Sequence, residues 1–280
     1  MSLTKPGAWL SLEVDCLMLK IWLDHNARVV FEDGSKRIHT IAFHPDGKHV
    51  IDGTSYEIRR WRVADGQVVG KQTLSEVNVS AVSVSRDYKW VVCGTGEGVS
   101  VWDAEIREEA VRLEGEPEDV EAVDVAPDCT RFATGSWQAK ASIWNIATGE
   151  RLVGPLELGD SGVVVGIRFS PDGERIATAR SEDPSIHIFN SRNGDQLISI
   201  ENPMETMSPL TPIAWSMDGE RLFATSEDSK SSPLMRPLDP NWPNGKFTTT
   251  TTHITCVLQL LQTTRSLLAP PVFSSHSGTL

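Results

Sequence analysis

Cysteine is scarce in this chain, with four residues in 280. Cys16, Cys93, Cys129 and Cys256 show no CxxC spacing, which excludes a disulfide framework and a cysteine-built metal finger. They read as small buried or partly buried thiols of a reducing compartment. Long apolar runs are missing too. Trp9–Trp22 is interrupted by Glu13, Asp15 and Lys20, and residues 254–273 by Gln259, Gln262, Arg265 and two prolines. Neither a secretion signal nor a membrane span is predicted, so the expectation is a soluble intracellular protein, cytoplasmic rather than nuclear. Positive charge is short: 26 Lys and Arg face 38 Asp and Glu. Because residues 231–280 hold one acid, Asp239, and three bases, the first 230 residues carry a net −14. Such a surface repels phosphate backbones, and no direct nucleic-acid partner is expected.

Patterns that carry chemistry are equally sparse. No GxSxG, paired-carboxylate or nucleophile–base arrangement is readable, which argues against an enzyme. The seven histidines are scattered, with His44 and His49 flanking one turn, and no zinc site is predicted from them. Gly94, Gly96 and Gly98 form GxGxG, but a strand follows where a phosphate loop would feed a helix, so a hairpin turn is the better reading. Asn78-Val-Ser80 spells a glycosylation sequon on a predicted buried strand and is incidental. No cofactor is expected.

What the chain does have is one turn written five times: FHPDG from Phe43, VSRDY from Val84, VAPDC from Val125, FSPDG from Phe169 and WSMDG from Trp215. The shared aspartates, Asp46, Asp87, Asp128, Asp172 and Asp218, are spaced by 41, 41, 44 and 46 residues. A recurring turn at a period in the low forties marks a repeat architecture of four short strands per unit. An apolar pair follows each turn, and an aromatic closes the next strand at Trp61, Trp102, Trp144 and Phe189. The strand before the turn alternates, as in Val163, Val165, Ile167 and Phe169, which suits a covered sheet. Asp-Gly pairs supply the positive φ of a tight hairpin, and an outer fourth strand follows Asp65-Gly66, Thr148-Gly149 and Asn193-Gly194.

VWDAEI at 101–106, IWNIATG at 143–149 and FSPDG at 169–173 resemble the WD-repeat family of β-propellers, and the wording is most similar to the WD-repeat sets of filamentous fungi. The resemblance covers roughly residues 17–230 and implies an all-β fold of four-stranded blades around a channel. The blade-packing aromatics would be Trp22, Trp61, Trp102, Trp144 and Phe189. Two features depart from the pattern. The family's Gly-His pair is missing from every unit, and its turn aspartate is replaced by Ser55, Gly96 and Gln138, surviving only as Asp183. The buried Asp-His-Ser-Trp network is therefore expected to be absent from most blades, leaving apolar packing to hold them.

The ends are irregular. Lys20–Asp24 resembles the aromatic strand of a preceding unit, and residues 28–33 its outer strand, so the chain is expected to begin inside a blade. The fifth unit finds no aromatic at Pro233, Leu234 or Met235 and is expected to stop after its second strand, past Ser226. The expected organisation is an N-terminal segment at 1–16, propeller blades at 17–230 and a disordered Thr/Ser/Pro-rich tail at 231–280. Four full blades with partial ones at both ends make an incomplete propeller. Two explanations stand open: a five-bladed ring closed by the N-terminal strands, or a fragment or imperfect gene product.

The resemblance implies a non-enzymatic scaffold that binds other proteins across one rim. By repeat register the candidate rim residues are Lys36, Arg37, Ser55, Tyr56, Glu97, Trp137, Gln138, Glu182 and Asp183, with Trp137 foremost. The alternatives are a subunit of an RNA-processing or other multiprotein complex acting through protein contacts, and a propeller-borne hydrolase or lyase.

Overall fold

The computed structural model describes residues 10–15, 18–23, 27–32, 38–73, 78–104, 108–114, 119–181, 183–201, 213–224 and 236–237. Every helix or strand among them is a strand. A first sheet holds β1 (Leu10–Asp15), β2 (Met18–Leu23) and β3 (Ala27–Glu32). Blade 1 comprises β4 (Ile38–Phe43), β5 (His49–Thr54), β6 (Glu57–Arg62) and β7 (Val68–Thr73). Blade 2 comprises β8 (Val79–Val84), β9 (Trp90–Thr95), β10 (Gly98–Asp103) and β11 (Glu109–Glu114). Blade 3 comprises β12 (Val120–Val125), β13 (Arg131–Ser136), β14 (Lys140–Asn145) and β15 (Arg151–Glu157). Blade 4 comprises β16 (Val164–Phe169), β17 (Arg175–Arg180), β18 (Asp183–Asn190) and β19 (Gln196–Glu201). A last sheet holds β20 (Ile213–Trp215), β21 (Leu222–Ala224) and β22 (Arg236–Pro237). Each sheet is an antiparallel meander in chain order, the form of a propeller blade.

Two strands lie beyond the expected outline. β1 pairs along its whole length with β2, so the first sheet starts at Leu10, ahead of residue 17. The fifth unit has a third strand, because Arg236 and Pro237 pair with Ala224 and Phe223. Its lack of an aromatic hid it, since a strand needs only backbone pairing. The tail beyond Ala224, those two residues apart, lies outside the described residues, as do Lys36, Arg37, Glu182, Cys16 and Cys256.

The recurring aspartate has one local task in all five turns. Its Oδ1 accepts the N–H two residues on, from Lys48 at 2.7 Å, Lys89 at 3.1 Å, Thr130 at 2.9 Å, Glu174 at 3.0 Å and Glu220 at 3.0 Å. This Asx turn replaces a backbone bond the hairpin cannot make. The next residue takes positive φ: Gly47, Gly173 and Gly219 do so freely, while Tyr88 (φ 68°) and Cys129 (φ 59°) adopt it despite their side chains.

Blades stack by a repeated fit. From β8 onward the first strand of each sheet packs on the first two strands of the blade before it, in the series β8, β12, β16, β20. A Cβ added to Gly53 would meet Val79 Cγ1 at 2.6 Å, one on Gly94 would meet Val120 Cγ1 at 2.6 Å, and one on Gly135 would meet Val164 Cγ1 at 2.4 Å. Those valines stand where the first-strand pairing shifts register in blades 2, 3 and 4. The β-bulge turns the valine into the glycine hole of its predecessor. The aliphatic core is thereby concentrated between sheets. Residues of blades 2 and 3 share one buried cluster that includes Val92, Val120, Phe132 and Trp144. Among the described strands this packing runs as an open series.

Candidate protein-binding rim and blade junctions

Alternation of strand direction sorts the turns onto two rims. One rim carries the Asx turns and the turns into the outer strands. The other carries the turns between second and third strands and the links between blades. On this second rim Trp137 is 56% exposed and Tyr56 48% exposed. The Trp137 indole N–H donates to Glu121 Oε1 at 2.9 Å, while its backbone N–H donates to the carbonyl of Asp119 at 3.2 Å. Asp119 in turn donates its N–H to the carbonyl of Gly96, beside exposed Glu97. The N–H of Ala139 reaches the carbonyl of Gly162, in the same loop as exposed Asp160. Backbone bonds thus hold three inter-strand segments around one aromatic, with carboxylates of Glu97, Asp119 and Asp160 in the surrounding segments and that of Glu121 at the start of β12.

The other predicted rim positions are engaged locally. Ser55 Oγ lies 3.3 Å from His39 Nε2, and the Gln138 side-chain carbonyl accepts from Lys140 at 3.3 Å. Asp183 turns inward, accepting from Ser185 N–H at 2.7 Å and Arg180 at 2.6 Å, with His187 Nε2 at 3.3 Å. Burial pushes its carboxyl up, but those donors prevail and hold it well below the usual carboxylate range.

The blade aromatics differ in what meets their polar edge. Trp144 Nε1–H donates to Thr134 Oγ1 at 2.9 Å. Six residues past the turn aspartate, where blade 3 has Thr134, blade 1 has Asp52 and blade 2 has Cys93. Asp52 is fully buried and pairs with buried Arg59 through contacts of 3.0 and 2.6 Å, and that guanidinium lies 4.9 Å from the Trp61 ring centre. Burial pushes the Asp52 carboxyl up and Arg59 opposes it. Cys93 offers no comparable acceptor, and Trp102 Nε1 is buried without a hydrogen-bond partner among the described residues. Burial pushes the Cys93 thiol far up, so it is not a reactive thiolate. Trp61, Trp144 and Phe189 are buried and Trp102 is partly buried; Trp22 lies in β2, and its side chain lies outside the described residues.

Arginines three residues past the turn aspartate join successive blades. Arg131 donates to the carbonyl of Gly173 at 3.1 Å and to Ser191 Oγ at 3.2 Å, with its guanidinium 5.6 Å from the Phe169 ring centre. Arg175 repeats this one blade on, donating to the carbonyl of Gly219 at 2.7 Å and lying 4.9 Å from the Trp215 ring centre. On the inner strands a second series crosses the junctions. Ser83 Oγ accepts from Val125 N–H at 3.2 Å, Asp124 Oδ2 accepts from Phe169 N–H at 2.8 Å, and the Arg168 carbonyl accepts from the Trp215 indole at 3.1 Å. Val125, Phe169 and Trp215 were read in the sequence only as the starts of turns, and Arg131, Arg175, Ser83, Asp124 and Arg168 were not singled out, although the fixed offset of Arg131, Arg175 and Arg221 was visible there.

The junction between blades 1 and 2 is less well filled. Where Val101 faces Val111 and Ile143 faces Val153 across the outer hairpins, blade 1 pairs Arg60 with Gly70. A cavity of about 80 Å³ results, lined by His44, Ile51, Ile58, Arg60, Gly70 and Trp102 among others. None of the described rim residues lines it.

With this geometry in place, the similarities to known proteins take on meaning. The family model described as WD domain, G-beta repeat, matches residues 108–145 and 153–190. These segments run from the outer strand of blade 2 through most of blade 3, and from the outer strand of blade 3 through most of blade 4. A guanine nucleotide-binding protein subunit beta of Arabidopsis thaliana is 27% identical over 158 residues, 54% of this chain and 42% of that protein. Angio-associated migratory cell protein of Homo sapiens is 25% identical over 174 residues, covering 61% of this chain and 38% of its own length. WD repeat-containing protein 1 of Rattus norvegicus is 24% identical over 213 residues, covering 72% and 34%. The chain thus spans about two fifths of the length of these relatives or less. No helix among the described residues is long and apolar enough to cross a membrane.

Proposed function

We propose that the whole chain is a WD-repeat protein acting as a non-enzymatic scaffold, and that it grips a protein partner on the rim around Trp137. The carrying observation is Trp137 itself: a large aromatic left exposed while its indole is fixed by Glu121 and its backbone by Asp119. A rigid aromatic loses little conformational freedom on binding, which is why such residues dominate interface energetics. The carboxylates of Glu97, Asp119, Glu121 and Asp160 around it favour a segment in which a basic side chain neighbours an apolar one. Support of another kind comes from the relatives, one of which is named as a subunit of a larger protein.

The test is affinity capture from cell extract with the wild-type chain and with Trp137→Ala. Partners retained by the wild type and lost by the variant, with weakened capture at raised ionic strength, are the expected result. Capture unchanged by Trp137→Ala would refute the rim assignment, and no reproducible partner at all would refute the scaffold.

A further inference from the structure

The first Asx turn differs from the other four in carrying two imidazoles. His44 follows β4 and His49 opens β5, so the hairpin that joins them brings both rings over Asp46. The two carboxylate oxygens divide the work. Oδ1 is held in the turn by the N–H groups of Lys48 at 2.7 Å and His49 at 3.1 Å. Oδ2 faces away from the turn, with His49 Nδ1 at 2.6 Å and His44 Nδ1 at 3.1 Å. The ligating atoms of all three residues lie within 4.8 Å of one another. The His44 ring is buried and stacked on Tyr88 of the next blade, with centroids 5.2 Å apart. One ring is thereby pinned by packing, the carboxylate is oriented by backbone N–H groups, and the second ring is partly open to solvent.

From this convergence we infer that His44 Nδ1, Asp46 Oδ2 and His49 Nδ1 form a binding site for a divalent transition-metal ion, with zinc as the reference case. Metal–ligand distances of roughly 2.0–2.2 Å put neighbouring donors of a tetrahedron about 3.3 Å apart. The two short edges here need to open by tenths of an ångström as the ion replaces the hydrogen bond between Asp46 and His49. Two imidazoles and one carboxylate are the donors that zinc, copper and nickel take, whereas magnesium and calcium prefer an all-oxygen set. Solvent completes the coordination through the open side.

Arg60 supplies the competitor. Its guanidinium Nη2 stands 3.2 Å from His49 Nδ1 and 3.6 Å from Asp46 Oδ2, so its positive charge competes with a bound cation for the same two donors. The side chain is 31% exposed, and its Nε is buried with no hydrogen-bond partner among the described residues. Metal binding displaces it outward.

The test uses the chain freed of metal by chelator and titrated with zinc in competition with a chromophoric chelator, together with cobalt absorption as a coordination signature. One equivalent bound in the micromolar range is expected, weakened by roughly tenfold or more in His49→Gln and in Asp46→Asn. Asparagine keeps the Oδ1 acceptor of the turn, so thermal melting of metal-free Asp46→Asn reports whether the hairpin survives. Arg60→Gln is expected to tighten binding several-fold. Absence of stoichiometric binding would overturn the site. So would affinity unchanged in both His49→Gln and folded Asp46→Asn, or affinity weakened by Arg60→Gln.

Discussion

Arg131, at the start of the second strand of blade 3, donates to the carbonyl oxygen of Gly173 in the turn of blade 4, 42 residues away in sequence. Only 9% of Arg131 is exposed, and the same guanidinium holds Asp128 of its own turn at 3.0 Å. One side chain therefore ties the turn of one blade to the turn of the next. Truncation to Arg131→Met removes the charged donor from both the Gly173 carbonyl and Ser191 Oγ, which stay bonded to each other at 2.6 Å, at an expected cost of about 1.5–3 kcal/mol in chemical denaturation. Arg221 occupies the same offset with no hydrogen bond from its guanidinium among the described residues, so Arg221→Met is expected to stay within about 0.5 kcal/mol of wild type.

Replacing Cys93 by threonine is expected to stabilise the chain by about 1 kcal/mol. The hydroxyl would reproduce in blade 2 the bond that Thr134 accepts from Trp144 at 2.9 Å in blade 3, satisfying the buried indole N–H of Trp102. Urea midpoints of the two proteins check this. A loss of stability in Cys93→Thr would mean that the indole does not reach the new oxygen.

Asp52 and Arg59 are both buried and bonded to each other. Asp52→Ala takes the two-point carboxylate partner from a buried guanidinium and is expected to cost about 3–5 kcal/mol. Replacing both by an apolar pair should recover much of that loss, and a double-mutant cycle measures the coupling.

Acid should act on blade 4 through Asp183. Burial raises its carboxyl, while Ser185 N–H and Arg180, with His187 beside it, lower it by more. A group whose folded pKa is depressed contributes its full stability above the unfolded carboxylate value and loses it as pH falls through the folded one. Unfolding free energy is therefore expected to decline on the acid side of the ordinary carboxylate range. Asp183→Asn should flatten that part of the profile, and an identical slope would exclude the assignment.

The strand meander was readable because its determinants are local. The aspartate at each turn and the aromatic 15 to 17 residues later reflect bonds within one hairpin or one sheet. Residues that act between blades were not readable in the same way. Arg131 and Arg175 repeat at a fixed offset, but His49 and Trp90 stand there in blades 1 and 2, and only adjacency of blades reveals a shared task. β1 escaped notice because Glu13 and Asp15 break its apolar pattern, and β22 because it carries no aromatic. His44 and His49 were visible as flanking one turn, but no site was read from them, for the carboxylate between them was already accounted for as the aspartate that marked the turn. Trp137 lies in the turn between β13 and β14, while Glu121, which fixes its ring, lies 16 residues earlier and had no pattern to expose it.

The glycine holes at Gly53, Gly94 and Gly135 receive valines from the following blade at nearly the same depth. Blades 2 and 3 therefore carry the same plug toward the blade before them, Val79 and Val120, and the same socket toward the blade after them, Gly94 and Gly135. Excising blade 2 as a single unit would bring Val120 opposite Gly53, a pairing chemically identical to the one lost. At this one contact blades 2 and 3 are interchangeable parts, so loss of either by recombination would leave a glycine socket and a valine plug still matched, while the His44–Tyr88 stack belongs to a single junction.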